Sequence, residues 1–214
     1  MVTGLAARLR IETAEAHAAA ERSAFVQELL AGRVPVADYV RLARQHYAIY
    51  STIERLEAEI GDTEVGEATL APFLDPGLHR TAALAADLTA LAGTDWATDV
   101  AVLDATVAYC SRITDAVAEF AGLLLAHHYV RYLGDLSGGR MIGRVLRRTY
   151  GFAGSTATAF YRFDAIDSPK VFKDRYRAAL DALPWSAAEQ QRLVDEVIVA
   201  FRGNAAVLQE LSVR

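Results

Sequence analysis

Residues 126–148 read AHHYVRYLGDLSGGRMIGRVLRR, and the rest of the chain is best read outward from them. Good helix formers and apolar residues at three- and four-residue spacings make this stretch one helix, yet it contains Gly134, Gly138, Gly139 and Gly143. A glycine inside a helix costs about 1 kcal/mol relative to alanine, so these four forgo roughly 3–4 kcal/mol of local stability. Something has to offset that loss. Either a neighbouring helix packs close against bare backbone, or a flat ligand approaches it, and consecutive glycines permit a kink in both cases. Spacing alone leaves both readings open.

The helical pattern continues on either side. Val36, Tyr39, Val40, Ala43, Tyr47, Tyr50, Ile53 and Ile60 lie on one stripe of a long helix that Gly61 stops. The same spacing predicts a helix from Leu5 to Leu30, ended by Gly32-Arg33-Val34-Pro35, and another from Leu78 to Leu91, ended by Gly93. Ser168-Pro169 places a capping hydroxyl before a proline at a first helical position, and Ser186 with Glu189 forms a capping box, so two C-terminal helices follow. No period-two strand stands out, and loops are expected near 61–69, 71–77, 92–98 and 151–167. The expectation is an all-α helical bundle, one domain over 1–214.

Composition narrows the function. The 214 residues are 53% hydrophobic with a net charge of −5, which argues for a folded globular chain and against a general nucleic-acid binder. Cys110 is the single cysteine, which excludes an internal disulfide, a four-thiolate zinc site and a C-x-x-C-H haem attachment. Glu119, His127 and His128 interrupt the most apolar region, so no membrane span or anchor is expected, and the charged N-terminus is unlike a signal peptide. A cytoplasmic location is the expectation. There is no G-x-G-x-x-G, P-loop, H-E-x-x-H or paired Glu-x-x-His.

Single residues therefore carry the candidate chemistry. Asp135 stands among the glycines, where a carboxylate can organise water or pass protons through it, although a lone helical carboxylate is more often merely solvated. His17, His46, His79, His127 and His128 are the available imidazoles. His17 is singled out by Glu21 one turn later on the same face, where a carboxylate can orient the ring, while His127 and His128 are rivals on the glycine helix itself. Arg10, Lys170, Lys173, Arg175 and Arg177 are candidate cations for the carboxylates of a flat tetrapyrrole held between an imidazole and a glycine-lined helix.

The run HHYVRYLGDLSGG, residues 127–139, resembles the signature of the haem oxygenase family, and ETAEAHAAAE around His17 resembles the segment that carries its axial ligand. HYAIYSTIERLE, LHRTAALAADL, KVFKDRY and AFRGNAAVLQEL extend the resemblance over essentially the whole chain. It implies that haem is both cofactor and substrate. The ring would be cut at a meso carbon, expected to be α, to biliverdin, carbon monoxide and ferrous iron, with O2 and electrons from an external donor, for iron acquisition or haem turnover.

By the same resemblance His17 is the axial ligand and Glu21 its partner. Gly134, Gly138 and Gly139 line the distal face, Asp135 holds its water network, and Arg131 and Tyr50 belong to the distal pocket. Arg10, Tyr129, Lys173 and Arg177 engage or steer the propionates, and Phe201 and Asn204 take last-helix pocket positions. Val130, Arg140 and Leu208 depart from residues common in relatives, and Gly203 is expected to loosen the last helix. Arg140, Arg144, Arg147 and Arg148 share one helical face, a candidate docking patch for an acidic ferredoxin-, flavodoxin- or reductase-type donor, against the plainer reading of a solvated basic face. A carrier or sensor that binds haem without degrading it is the alternative, which Asp135 argues against. A thiamin-related hydrolase would need an activated cysteine, and Cys110 has no activating neighbour in sequence.

Overall fold

The computed structural model describes residues 4–63, 69–98, 101–152 and 157–212, and among these no strand occurs. Ten α-helices follow in order: α1 (Leu5–Glu12), α2 (Ala14–Glu21), α3 (Ala24–Leu30), α4 (Val36–Gly61), α5 (Thr81–Ala92), α6 (Asp104–Glu119), α7 (Leu124–Gly134), α8 (Arg140–Tyr150), α9 (Pro169–Ala182) and α10 (Ala187–Ser212). A π-helical turn, Asp135–Gly139, joins α7 to α8. No helix among the described residues is long and apolar enough to cross a membrane.

Local signals set most boundaries. Gly93 leaves α5 with φ of 83°, a conformation that glycine takes without strain. The Ser168 hydroxyl accepts from Val171 N at 3.4 Å, and Ser186 and Glu189 complete their reciprocal box at 2.7 and 3.3 Å. The expected Leu5–Leu30 helix is in fact three helices. Thr13 Oγ1 donates back to Leu9 O at 2.7 Å, a bond that bends helices, and Ser23 Oγ accepts from Val26 N at 3.3 Å to start a new one. The helix expected from Leu78 begins at Thr81, where Glu54 Oε1 from α4 accepts from the Thr81 amide at 2.9 Å. Parts of two expected loops, residues 64–68 and 153–156, lie outside the described residues.

The two long helices α4 and α10 hold α7 between them. His127 Nε2 lies 3.4 Å from Glu196 Oε1 of α10, and His128 Nε2 lies 2.5 Å from Glu57 Oε1 of α4. Four residues further along α7, Arg131 donates to Asn204 of α10 at 2.5 Å, while Tyr132 packs its ring against Tyr50 of α4. Two adjacent rows of α7 thus face two different helices, which fixes its rotation about its own axis. Gly203 does not loosen α10. The helix is continuous, and a Cβ there would sit 2.6 Å from the Tyr109 ring of α6, so this glycine buys close approach of two helices.

Glu57 is the most heavily engaged of these groups. His79 Nε2 reaches its second oxygen at 2.8 Å. Burial alone would raise its pKa, but the two histidines outweigh burial and hold it at about 2. A carboxylate depressed on folding stabilises the native state above its unfolded pKa and loses that contribution as pH falls toward its folded pKa. Glu57→Gln should therefore destabilise the fold by roughly 3–4 kcal/mol near neutral pH, because His128 and His79 lose their carboxylate. In denaturant titrations the gap from wild type should narrow as pH falls from about 5 toward 2; a gap that is the same at both ends contradicts this role.

Candidate functional site

A cavity of about 520 Å3 lies between α2 and the α7, π-turn and α8 run, with α3, α4 and α10 closing its sides. That volume is within the roughly 300–1,000 Å3 usual for small-molecule and cofactor sites. From α2, His17, Ala20 and Glu21 form one wall. His17 is exposed, with Nδ1 3.6 Å from Glu21 Oε2, within ion-pair range and beyond a hydrogen bond. Its ring stands edge-on to Phe201, centroids 5.4 Å apart.

The glycines of the facing wall divide by environment. A Cβ built on Gly134 or Gly138 meets nothing within 4 Å, so no neighbouring helix accounts for these two. On Gly139 and Gly143 it would come within 3.1 and 3.0 Å of the Tyr161 side chain, which is the packing explanation for glycine. Gly139 still contributes to the wall, but its bare side faces Tyr161. Ser137 Oγ donates to Leu133 O at 2.7 Å within the turn, a back-bond of the kind that accompanies distorted helix.

Asp135 heads this turn and lines the cavity. Burial raises its pKa, against the opposing pull of the Arg131 charge and of the hydrogen bond it accepts from Tyr50, so it holds a proton more readily than an ordinary carboxylate. The Tyr50 hydroxyl makes a short bond to Asp135 Oδ2. Tyr50 itself is fully buried behind Asp135 and is not part of the wall. Burial works against the charge of Arg131, but Tyr50 and Asp135 outweigh it and keep the guanidinium ionised. Arg131 lies over the Tyr50 ring at 4.9 Å and fixes Asn204, another wall residue.

Cations gather at one rim. Lys173 Nζ donates to Ser137 Oγ at 3.0 Å, and Arg177 donates to Asp174 at 3.0 Å. Tyr129 lines the same edge; burial raises its hydroxyl pKa while the charges of Arg177 and Arg10 oppose the rise. Arg10 is exposed near Tyr129 but outside the wall. Lys170 and Arg175 are exposed and do not line the cavity either.

Of the rival histidines, His127, His128 and His79 are spent on buried carboxylates away from the cavity. His46 does line it, on α4 one turn before Tyr50, and sequence reading passed it over. Burial first, and the Arg131 charge second, hold His46 well below the usual histidine range, so it is a neutral imidazole. Its only signal was its place on the Tyr50 stripe, where a histidine reads as ordinary core. Cys110 is half-buried outside the cavity, and burial raises its thiol pKa, the reverse of an activated nucleophile.

The donor set therefore offers an imidazole on one wall, bare backbone opposite it, apolar sides from Leu29, Leu42 and Phe201, and cations at the rim. That combination fits a flat iron macrocycle bearing carboxylates.

Comparison with known proteins agrees. The family model described as "Heme oxygenase" matches residues 3–210. Heme oxygenase of Pyropia yezoensis is 37% identical over 212 residues, covering 99% of this chain and 87% of the relative. The crystal structure of heme oxygenase-1 from Synechocystis sp. in complex with heme superposes with a TM-score of 0.91 at 36% identity, covering 98% of this chain and 93% of that one. The structure of heme oxygenase from Leptospira interrogans gives 0.89 at 35% identity, covering 97% and 100%. A bundle of this topology, with its cavity between a histidine helix and a glycine-opened one, places the chain in the haem oxygenase family.

Proposed function

We propose that this protein binds haem in the 520 Å3 cavity and opens it oxidatively at the α meso carbon, giving biliverdin, carbon monoxide and ferrous iron, for iron acquisition or haem turnover. The observation that carries this reading is the pairing of an exposed His17 with a facing wall left bare at Gly134 and Gly138, beside an Asp135 whose pKa burial raises above the usual carboxylate range. Haem, when bound, supplies both the iron that activates O2 and the ring that is cut.

The residues of this chain then divide the work. His17 holds the iron, with Glu21 close enough to orient its ring. As an iron ligand, a histidine would donate less electron density than a thiolate does. Gly134 and Gly138 let the distal backbone come close to the macrocycle plane. Tyr50 and Arg131 position Asp135 from behind, and Asp135 would hold a proton at its carboxylate and pass it into the cavity through water when haem is bound. Lys173, Arg177 and Tyr129 take the propionates and so set which ring edge faces the glycines. A simple carrier has no use for this proton-holding network.

Haem titration followed by reductant and air should give loss of the haem band, biliverdin and carbon monoxide, with the α isomer identified by chromatography. Asp135→Ala should bind haem within about threefold of wild type yet lose most of the biliverdin yield. Wild-type levels of biliverdin from the variant would overturn the role of Asp135, and an intact haem band in wild type would favour the carrier.

Electrons come, on this reading, from a ferredoxin-, flavodoxin- or reductase-type protein with an acidic face. Of the expected patch, Arg140, Arg144 and Arg148 are exposed, while Arg147 is half-buried and donates to Thr158 at 3.4 Å. Charge reversal at Arg144 and Arg148 together should slow donor-driven turnover several-fold and flatten its salt dependence, leaving chemically reduced turnover unchanged. No change in either donor-driven rate or salt dependence removes the patch from the docking surface.

A further inference from the structure

A second cavity, about 1080 Å3, opens on the other side of the π turn. Five cations line it, Arg140, Arg144, Arg147, Arg162 and Lys173, against only Asp164 and Asp167. Among the described residues, Arg140 and Arg144 have no carboxylate partner, and the Arg162 to Asp164 pair is 3.5 Å apart and exposed. The excess charge thus has no counter-ion among the described residues. Between the cations, Leu136, Phe163 and Ile166 give apolar surface. A hollow of mixed polar and apolar lining with an excess of cations suits an amphipathic ligand with more than one carboxylate.

The two cavities share a wall. Ser137, Gly138, Met141, Tyr161 and Lys173 line both, and Gly138 presents no side chain between them. Lys173, tied to Ser137 at 3.0 Å, stands at the boundary and can face a carboxylate on either side. Met141 is 49% exposed there, an unbranched side chain able to move aside.

We propose that this second cavity is a binding site for the open-chain tetrapyrrole product, which it receives from the haem cavity across the Gly138 edge. The proposal rests on the haem-cleaving reading. Ring opening with loss of iron removes the bond to His17 and the flatness that the bare glycines accommodate, but it leaves both carboxylates. The first cavity then loses two of its grips, while the second, richer in cations and wider, keeps what the product still offers.

The test is equilibrium dialysis of biliverdin against the ferric haem complex, without reductant, so that the first cavity is filled. About one equivalent of biliverdin should be retained at low salt, and Arg162→Glu should weaken it about tenfold with haem affinity unchanged. Arg162 lies off α8, so this variant should also leave donor-driven salt dependence as it was. No retention by the haem complex, or equal retention by wild type and Arg162→Glu, overturns the product site. A variant that disturbs only donor coupling assigns the cavity to a protein partner instead. Failure to bind haem at all is a separate result and brings down the haem-cleaving reading with it.

Discussion

Everything at the site depends on the rotation of one helix. His127 and His128 are neighbours in sequence, so their side chains leave α7 about 100° apart, and each meets a buried carboxylate on a different long helix, Glu196 of α10 and Glu57 of α4. A rotation that kept one of these contacts would break the other. With α7 held in this way, Arg131 and Tyr132 fall against Asn204 and Tyr50 one turn on, and the next turn turns Gly134, Asp135 and Gly138 to the cavity. Buried carboxylates left unpaired are costly, so the arrangement is strongly favoured over its alternatives.

The same constraint explains the distribution of glycine. Gly139, Gly143 and Gly203 are close-packing positions, filled by Tyr161 or Tyr109. Gly134 and Gly138 have no such partner, and helix stability forgone at those positions has no return inside the protein itself. The return lies with a ligand. The π turn adds to this by widening the backbone where Asp135 is presented, with Tyr50 and Arg131 behind it rather than beside the ligand.

Much of this was legible in sequence, and what was not has a common cause. Gly61, Gly93, Ser168 and the Ser186 to Glu189 box end or start helices through contacts a few residues long, so spacing reveals them. The breaks at Thr13 and Ser23 were hidden because apolar periodicity runs on across them. His17, Asp135 and the glycines were visible as residues out of keeping with their surroundings. The partners of His127 and His128 lie about 70 residues away in opposite directions, so nothing local showed that these two histidines are structural. His46 failed in the other direction, looking like core while facing the cavity. The glycine helix itself supported packing and ligand readings equally, and only the surroundings of each glycine separate them.

The central claim is that Gly134 and Gly138 are kept for a ligand. The most direct measurement is a paired one on the double variant Gly134→Ala/Gly138→Ala, comparing stability of the haem-free protein by denaturant titration with haem affinity by absorbance. The account predicts a protein at least as stable as wild type, by up to about 1–2 kcal/mol from helix propensity, with haem affinity reduced tenfold or more. A variant that is less stable but binds haem as wild type does would show that these glycines serve packing, and would contradict the account.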